Sequence, residues 1–238
     1  LAQAYLMDCI IQVFPDEFHI ETLEMFLDVC PKLRDKVNVR TIVQSIMERL
    51  SNYYADEMLL LDAEKQHQSQ QTKEQNHSVL QKKENSFQLL NSCIQNIVVS
   101  RKSTMPNKEM VRLQMALLKF SLKCYPGNID HVNQCLASCA NSLRQRQMED
   151  AQASSTNTQQ QPNTPPNLDD TTVDELEKLL SIPLDSLALR VLQINHYSDL
   201  LTFLPWDNRR QVAVVMLKAV ETSESNLTDL DQIEELFV

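Results

Sequence analysis

Glycine occurs once in the 238 residues, at Gly127, where average usage would give roughly 17. That scarcity limits what the chain can build. Phosphate-cradling loops, dinucleotide-binding turns and nucleophile elbows need glycine where the backbone takes positive φ or approaches a ligand closely. Tight two-residue β-hairpins need it as well. The residues used in its place, Leu, Gln, Met, Ala and Lys, are good helix formers. The chain is therefore expected to be all-α, and nucleotide enzymology is disfavoured.

Apolar residues make up 42%, enough for a core, and the net charge of −10 argues against wholesale nucleic-acid binding. Cys9, Cys30, Cys93, Cys124, Cys135 and Cys139 sit mostly inside apolar helical patterns, too sparse for a disulfide scaffold, so a reducing, cytoplasmic setting is expected. No signal peptide stands out, and apolar runs such as 212–217 are too short to span a bilayer. Leu1 already lies inside an amphipathic pattern, with no initiator methionine, so the sequence reads as a piece of a longer chain.

Helical periodicity recurs along the chain. Met7, Ile10, Ile11 and Phe14 follow the i, i+3, i+4, i+7 pattern, and Val39, Ile42, Val43, Ile46, Met47 and Leu50 extend it over three turns. The stripe returns at Leu90, Cys93, Ile94, Ile97 and Val98, at Ile129, Val132, Leu136, Cys139 and Leu143, and at Val212, Val215, Met216 and Ala219. Pro15 ends the first helix, and a second is expected from about His19 to Cys30, closed by Pro31. Pro106 suits a helix start, Tyr125-Pro126-Gly127-Asn128 a turn, and Thr172-Val173-Asp174-Glu175 a capping box opening a helix near Thr172. Pro183 and Pro205 punctuate the rest. About ten or eleven helices result, at an approximate helix-pair spacing of ~40 residues.

Two polar, glutamine-rich segments interrupt this pattern, because they cannot bury enough surface to offset their ordering entropy. The expected organisation is helical repeats over 1–61, a flexible polar loop over 62–84, repeats over 85–149, a disordered linker over 150–171 and repeats over 172–238. Glu, Lys and Gln would let a helix extend into the first segment; three prolines bar it from the second. Residues 63–124 form a basic block between acidic flanks.

Candidate chemistry is thin. His131, Cys135 and Cys139 recur along one helix flank, but zinc needs a fourth ligand and no CxxC pair stands nearby, so packing is the better reading. Asp16, Glu17 and His19 could do acid–base work, yet charged residues at a helix start more simply cap it. Lys108, Arg112, Lys119 and Lys123 fall within about 60° on one helix, a candidate contact stripe or a solvated ridge. No catalytic residue, metal ligand or cofactor site is expected.

The stretch from Tyr5 through Leu6-Met7-Asp8-Cys9-Ile10-Ile11-Gln12-Val13-Phe14-Pro15-Asp16-Glu17-Phe18 to His19 closely resembles a signature of the retromer large-subunit family. The likeness continues at Thr22-Leu23 and Val37-Asn38-Val39, and returns at Arg101 to Pro106, at Lys123-Cys124-Tyr125-Pro126 and, more weakly, over Leu179 to Asp185. The 62–84 segment departs from it, being longer and richer in glutamine. The resemblance implies a right-handed α-solenoid of HEAT-like antiparallel helix pairs. It also implies a scaffold in the endosomal coat that retrieves transmembrane cargo, peripheral to the membrane. Its implied partners are an arrestin-like subunit and a metallophosphoesterase-like small subunit, with sorting nexins and cargo engaged through the complex. This chain resembles the middle section, so no partner-binding residue carries over. Pro15, Asp16, Glu17, Phe18 and His19 then form a structural turn. A HEAT-type protein- or RNA-binding scaffold outside membrane traffic is the competing reading, and a helical metalloenzyme a weaker one. As part of a solenoid, the piece should leave Leu6, Met7 and Ile10 uncovered at one end and Leu230, Ile233 and Phe237 at the other.

Overall fold

The computed structural model describes residues 2–65, 73–154, 168–187, 190 and 193–222. Every regular element among them is helical: α1 (Ala2–Val13), α2 (Asp16–Glu21), α3 (Leu23–Val29), α4 (Val39–Lys65), α5 (Lys73–Ser100), α6 (Asn107–Cys124), α7 (Ile129–Ser154), α8 (Asp170–Leu187), α9 (Tyr197–Leu201) and α10 (Trp206–Thr222), with a 3-10 turn at Cys30–Lys32. The fold is all-α and built from packed helices, as the periodicity and the missing glycines require. Helix α4 runs through 62–65 and α5 begins at Lys73, so helix extends into both ends of the first polar segment, while 66–72 lie outside the described residues. Likewise α7 reaches Ser154, and 155–167 of the second segment lie outside them.

The chain divides into two compact units, Leu1–Met105 with Lys119–Pro126, and Pro106–Leu118 with Gly127–Val238. In the first, the α4 stripe of Ile42, Val43, Ile46, Met47 and Leu50 is buried together with Phe87, Leu90, Ile94 and Ile97 of α5. Each such side chain contributes about 1.5–3 kcal/mol by leaving water. Two links fix how α4 and α5 run. Tyr54 and Ser86 share a buried hydroxyl hydrogen bond of 2.7 Å, and Arg101, just past the end of α5, reaches the carbonyl of Val37, just before the start of α4. The pair is therefore antiparallel. Helix α3 packs on α5, and α1 and α2 pack on α4.

The expected single helix over His19–Cys30 is two. It begins at Asp16 and breaks at Thr22, whose backbone N–H and hydroxyl both donate to the carbonyl of Phe18 (3.0 and 2.7 Å). The amide bond is the ordinary helical one, so the hydroxyl loads the Phe18 carbonyl a second time, the back-bonding by which threonine bends a helix. Among the residues expected to stand uncovered, Leu6 is exposed, Ile10 half-buried and Met7 buried against the first unit's core. Leu230, Ile233 and Phe237 lie outside the described residues.

The second unit buries Val132, Leu136, Ala140 and Leu143 of α7 with Val173, Leu176, Leu179 and Leu180 of α8 and Leu200 of α9. Asn107 accepts from Arg146 at 3.1 Å, and the two lie equally far from the turn at 125–128, so α6 and α7 are antiparallel. Gly127 stands in that turn with φ of +79°. Asn128 then caps α7 by accepting from the His131 amide at 3.2 Å. Arg209 closes the joint before α10, donating from Nε to the Leu204 carbonyl at 2.7 Å and from Nη2 to that of Thr202 at 3.1 Å.

Two expectations need correcting here. Helix α8 begins at Asp170, close to Thr172 as expected, but its cap is Asp169 and not a Thr172–Glu175 capping box: the Asp169 carboxylate accepts from the Thr172 amide at 3.2 Å and from the hydroxyls of Thr171 and Thr172. Glu175, which a capping box would turn back, points to Arg112 instead. Pro183 does not end α8, which continues to Leu187. It removes the amide that Leu179 would have bonded, a loss the helix tolerates because its apolar face is buried.

Gly127→Ala should lower thermal stability by about 1–3 kcal/mol, since the positive φ is strained for an L side chain. Its Cβ would also stand 2.5 Å from Arg190 Nη1, so that side chain must swing away. Gly127→Asn should lose less, because asparagine tolerates that region. Thermal melts of the three proteins measure the difference.

Candidate functional site

The signature turn is built around one carbonyl. Pro15 has no amide hydrogen, so the Ile11 carbonyl four residues earlier has no helical partner. Two side chains replace it. His19 Nε2 lies 3.2 Å from that oxygen, and Arg49 Nη1, from α4, donates to it. Arg49 Nε meanwhile pairs with the Asp16 carboxylate. Three helices, α1, α2 and α4, thus meet at one backbone oxygen.

The turn's other residues follow from this geometry. Pro15 is extended (φ −68°, ψ 164°) and precedes α2, whose first turn carries Asp16 and Glu17, favourable at a helix start. Phe18 stacks on Phe14 with ring centroids 4.4 Å apart. His19 is almost wholly buried, and burial, reinforced by the Arg49 charge, pushes its pKa below the ordinary histidine value near 6.5. Neutral His19 with the proton on Nε2 is the form that donates to Ile11. The arrangement ties α1, α2 and α4 together.

A second joint uses Arg101. This buried guanidinium donates to the carbonyls of Val37 at 2.7 Å, Leu33 at 2.6 Å and Arg34 at 3.2 Å, closing the segment before α4. Sequence reasoning assigned Arg101 no role, although it opens the Arg101–Pro106 stretch. Arg49 was equally invisible, being an arginine beside an apolar stripe whose partners lie 33 and 38 residues away.

The basic stripe is partly engaged. In the second unit, Lys108 is half-buried, and Arg112 forks between Glu109 at 2.9 Å and Glu175 at 3.0 Å, with Lys178 also on Glu175 at 3.2 Å. These partners hold the Glu175 carboxyl below its usual range, the Arg112 hydrogen bond being the main cause. In the first unit, Lys123 donates to Asn52 at 2.6 Å, and Lys119 is exposed.

Cys135 and Cys139 lie in the core of the second unit. Burial raises both thiols, Cys139 to about 12, away from the thiolate that metal binding requires. His131 is half-buried beside them in sequence, its pKa lowered by the same cause. Among the described residues, no group of three or more His, Cys, Asp or Glu is placed to hold a metal ion, and no helix is long and apolar enough to cross a membrane.

Residues 1–238 match the family model described as Vacuolar protein sorting-associated protein 35. Among curated relatives, Vacuolar protein sorting-associated protein 35A of Arabidopsis thaliana is 31% identical over 240 residues, covering 100% of this chain and 26% of that protein. The 35C protein of the same plant is 30% identical over 239 residues, with 100% and 26% covered. Vacuolar protein sorting-associated protein 35 of Dictyostelium discoideum is 30% identical over 236 residues, with 98% and 25% covered. The chain spans about a quarter of the length of these relatives.

Arg101→Met should keep the apolar stem yet leave buried carbonyls without donors, destabilising the first unit by about 2–4 kcal/mol. Arg101→Lys, a compact ammonium without the planar fork, should fall between; urea denaturation ranks the three. The histidines give a pH test. Folded His19 and His131 bind protons less tightly than in the unfolded chain. Their contribution is therefore fully present above about 6.5 and is lost as pH falls from there through their lower folded values. The carboxylates Asp169, Glu175 and Asp199, held below their usual range, extend the loss to lower pH. His19→Gln with His131→Gln should flatten the urea midpoint between pH 7 and 5.

Proposed function

The chain belongs to the Vacuolar protein sorting-associated protein 35 family, and from that premise we propose that it is a structural spacer within the scaffold subunit of the retromer endosomal coat. It would act in retrograde transport of transmembrane cargo from endosomes to the Golgi or plasma membrane. The reading rests chiefly on the family match along the whole chain. The kind of interaction found at the signature residues supports it: helix ends bound to one another by side-chain donors. The mechanism is mechanical. Curvature accumulated over helix pairs sets the distance and angle between partner sites, and no bond is made or broken.

In this reading an arrestin-like subunit and a metallophosphoesterase-like small subunit bind beyond this stretch. Sorting nexins and cargo are reached through the complex, and the endosomal membrane only indirectly from its cytoplasmic side. Pro15, Asp16, Glu17, Phe18 and His19 hold a structural turn. Lys108 and Lys119, the stripe residues not drawn into the bonds described above, are the ones through which a neighbour or an acidic membrane surface would be contacted.

Removing residues 85–146 from the parent protein should leave binding of each partner intact and abolish cargo retrieval, measured by co-precipitation and by surface recovery of a receptor. Full retrieval after that deletion would overturn the spacer role. Lys108→Ala with Lys119→Ala should leave the helical circular-dichroism spectrum unchanged, and a loss of vesicle or neighbour binding would locate the contact.

A further inference from the structure

Two cysteines from distant parts of the sequence meet inside the first unit, where helix α3 and the 3-10 turn pack on α5. Cys30 opens the turn at the end of α3, and Cys93 lies in the C-terminal half of α5. Cys30 is 0% exposed and Cys93 4%. Their sulfurs address neighbouring oxygens of one helix: Cys30 Sγ donates to the Phe26 carbonyl at 3.4 Å, and Cys93 Sγ to that of Leu27, also at 3.4 Å. The two thiols are also within hydrogen-bond reach of each other. That bond, burial and the nearby Asp28 carboxylate push the Cys93 pKa up, so Cys93 keeps its proton. Cys135 and Cys139 lie close as well, but one turn apart on α7, where a bond would join nothing that the helix does not already hold.

Packed, the pair is closed to solvent, and the fold supplies a way to open it. Helix α3 has seven residues, breaks from α2 at Thr22 and runs into Cys30-Pro31, where proline brings no amide hydrogen. A helix that short persists through its packing alone, so it opens locally before the long helices α4 and α5 do. Opening carries Cys30 to solvent and leaves Cys93 anchored on α5.

We propose that Cys30 and Cys93 form a reversible disulfide pair, through which a hydroperoxide locks α3 onto α5. The Cys30 sulfur attacks one peroxide oxygen: the S–O bond forms, the O–O bond breaks, and the thiol proton leaves with the departing oxygen as an alcohol, or as water from hydrogen peroxide. When α3 closes again, the Cys93 sulfur attacks the sulfur of this sulfenic acid. The S–S bond forms, the S–O bond breaks, and hydroxide departs with the Cys93 proton as water. The sulfurs together give up two electrons, which the peroxide takes, and a dithiol reductant reverses the bond. The closed loop runs from residue 30 to residue 93, long enough to constrain the unfolded chain strongly.

Hydrogen peroxide added to the folded, unsubstituted chain, followed by alkylation and non-reducing peptide mapping, tests this. The Cys30 and Cys93 peptides should appear joined within one chain, lighter by two hydrogens, and should separate with dithiothreitol. The urea midpoint should rise with the bond and return on reduction. Cys93→Ala should leave a Cys30 sulfenic acid that dimedone labels, and Cys30→Ala should remove both that label and the bond. Leu27→Ala, which thins the buried packing of α3 and keeps its carbonyl, should speed oxidation several-fold. Both thiols still fully alkylated after peroxide has consumed half-buried Cys9 would overturn the proposal. So would Cys30 driven to sulfinic acid with Cys93 free, or a bond that joins two chains instead of closing within one.

Discussion

Helices leave carbonyls behind at their ends, and a chain with one glycine cannot use the usual left-handed cap to satisfy them. Arginine does much of that work here. Arg49 takes the Ile11 carbonyl, Arg209 takes those of Thr202 and Leu204 after α9, and Arg101 does the same for the loop carbonyls of Leu33, Arg34 and Val37 before α4. Hydroxyls add a bond at other carbonyls near helix ends, Thr22 on Phe18, Ser100 on Ile97 and Thr202 on Asp199. The guanidinium fork suits this role because one side chain can meet two or three oxygens at fixed angles and keeps its charge.

The constraint explains how the signature residues come to stand together. A proline that ends α1 creates the orphan oxygen, and the histidine four residues on is close enough to fill it. An acid at Asp16 then balances the arginine brought in from α4. Each residue type is required by the one before it, and their clustering in sequence is the footprint of a joint between helices.

What was legible in the sequence follows from range. The stripes of α4, α5 and α7 depend on neighbours three and four residues apart, and Ile46, Ile94 and Leu136 are buried as the periodicity requires. The break at Thr22 was missed because a threonine inside a periodic run reads the same whether or not its hydroxyl bonds back to a carbonyl. Thr172 carried cap chemistry, but Asp169, three residues earlier, is the stronger acceptor. Pro183 was overruled by the burial of α8's apolar face. Arg49 and Arg101 could not be read at all, since nothing near either in sequence announces a carbonyl dozens of residues away.

The Arg101 fork also imposes an order in time. Helices α4 and α5 can each begin to coil from local contacts, but a short isolated helix is marginal and needs a partner to persist. The carbonyls of residues 33–37 must stay with water until the α4–α5 pair has zipped to the end far from its own connection. The guanidinium reaches them across 64 to 68 residues of chain. Such closure carries a loop entropy that the local turns of either helix do not, so the fork acts as a latch on a pair that has already formed.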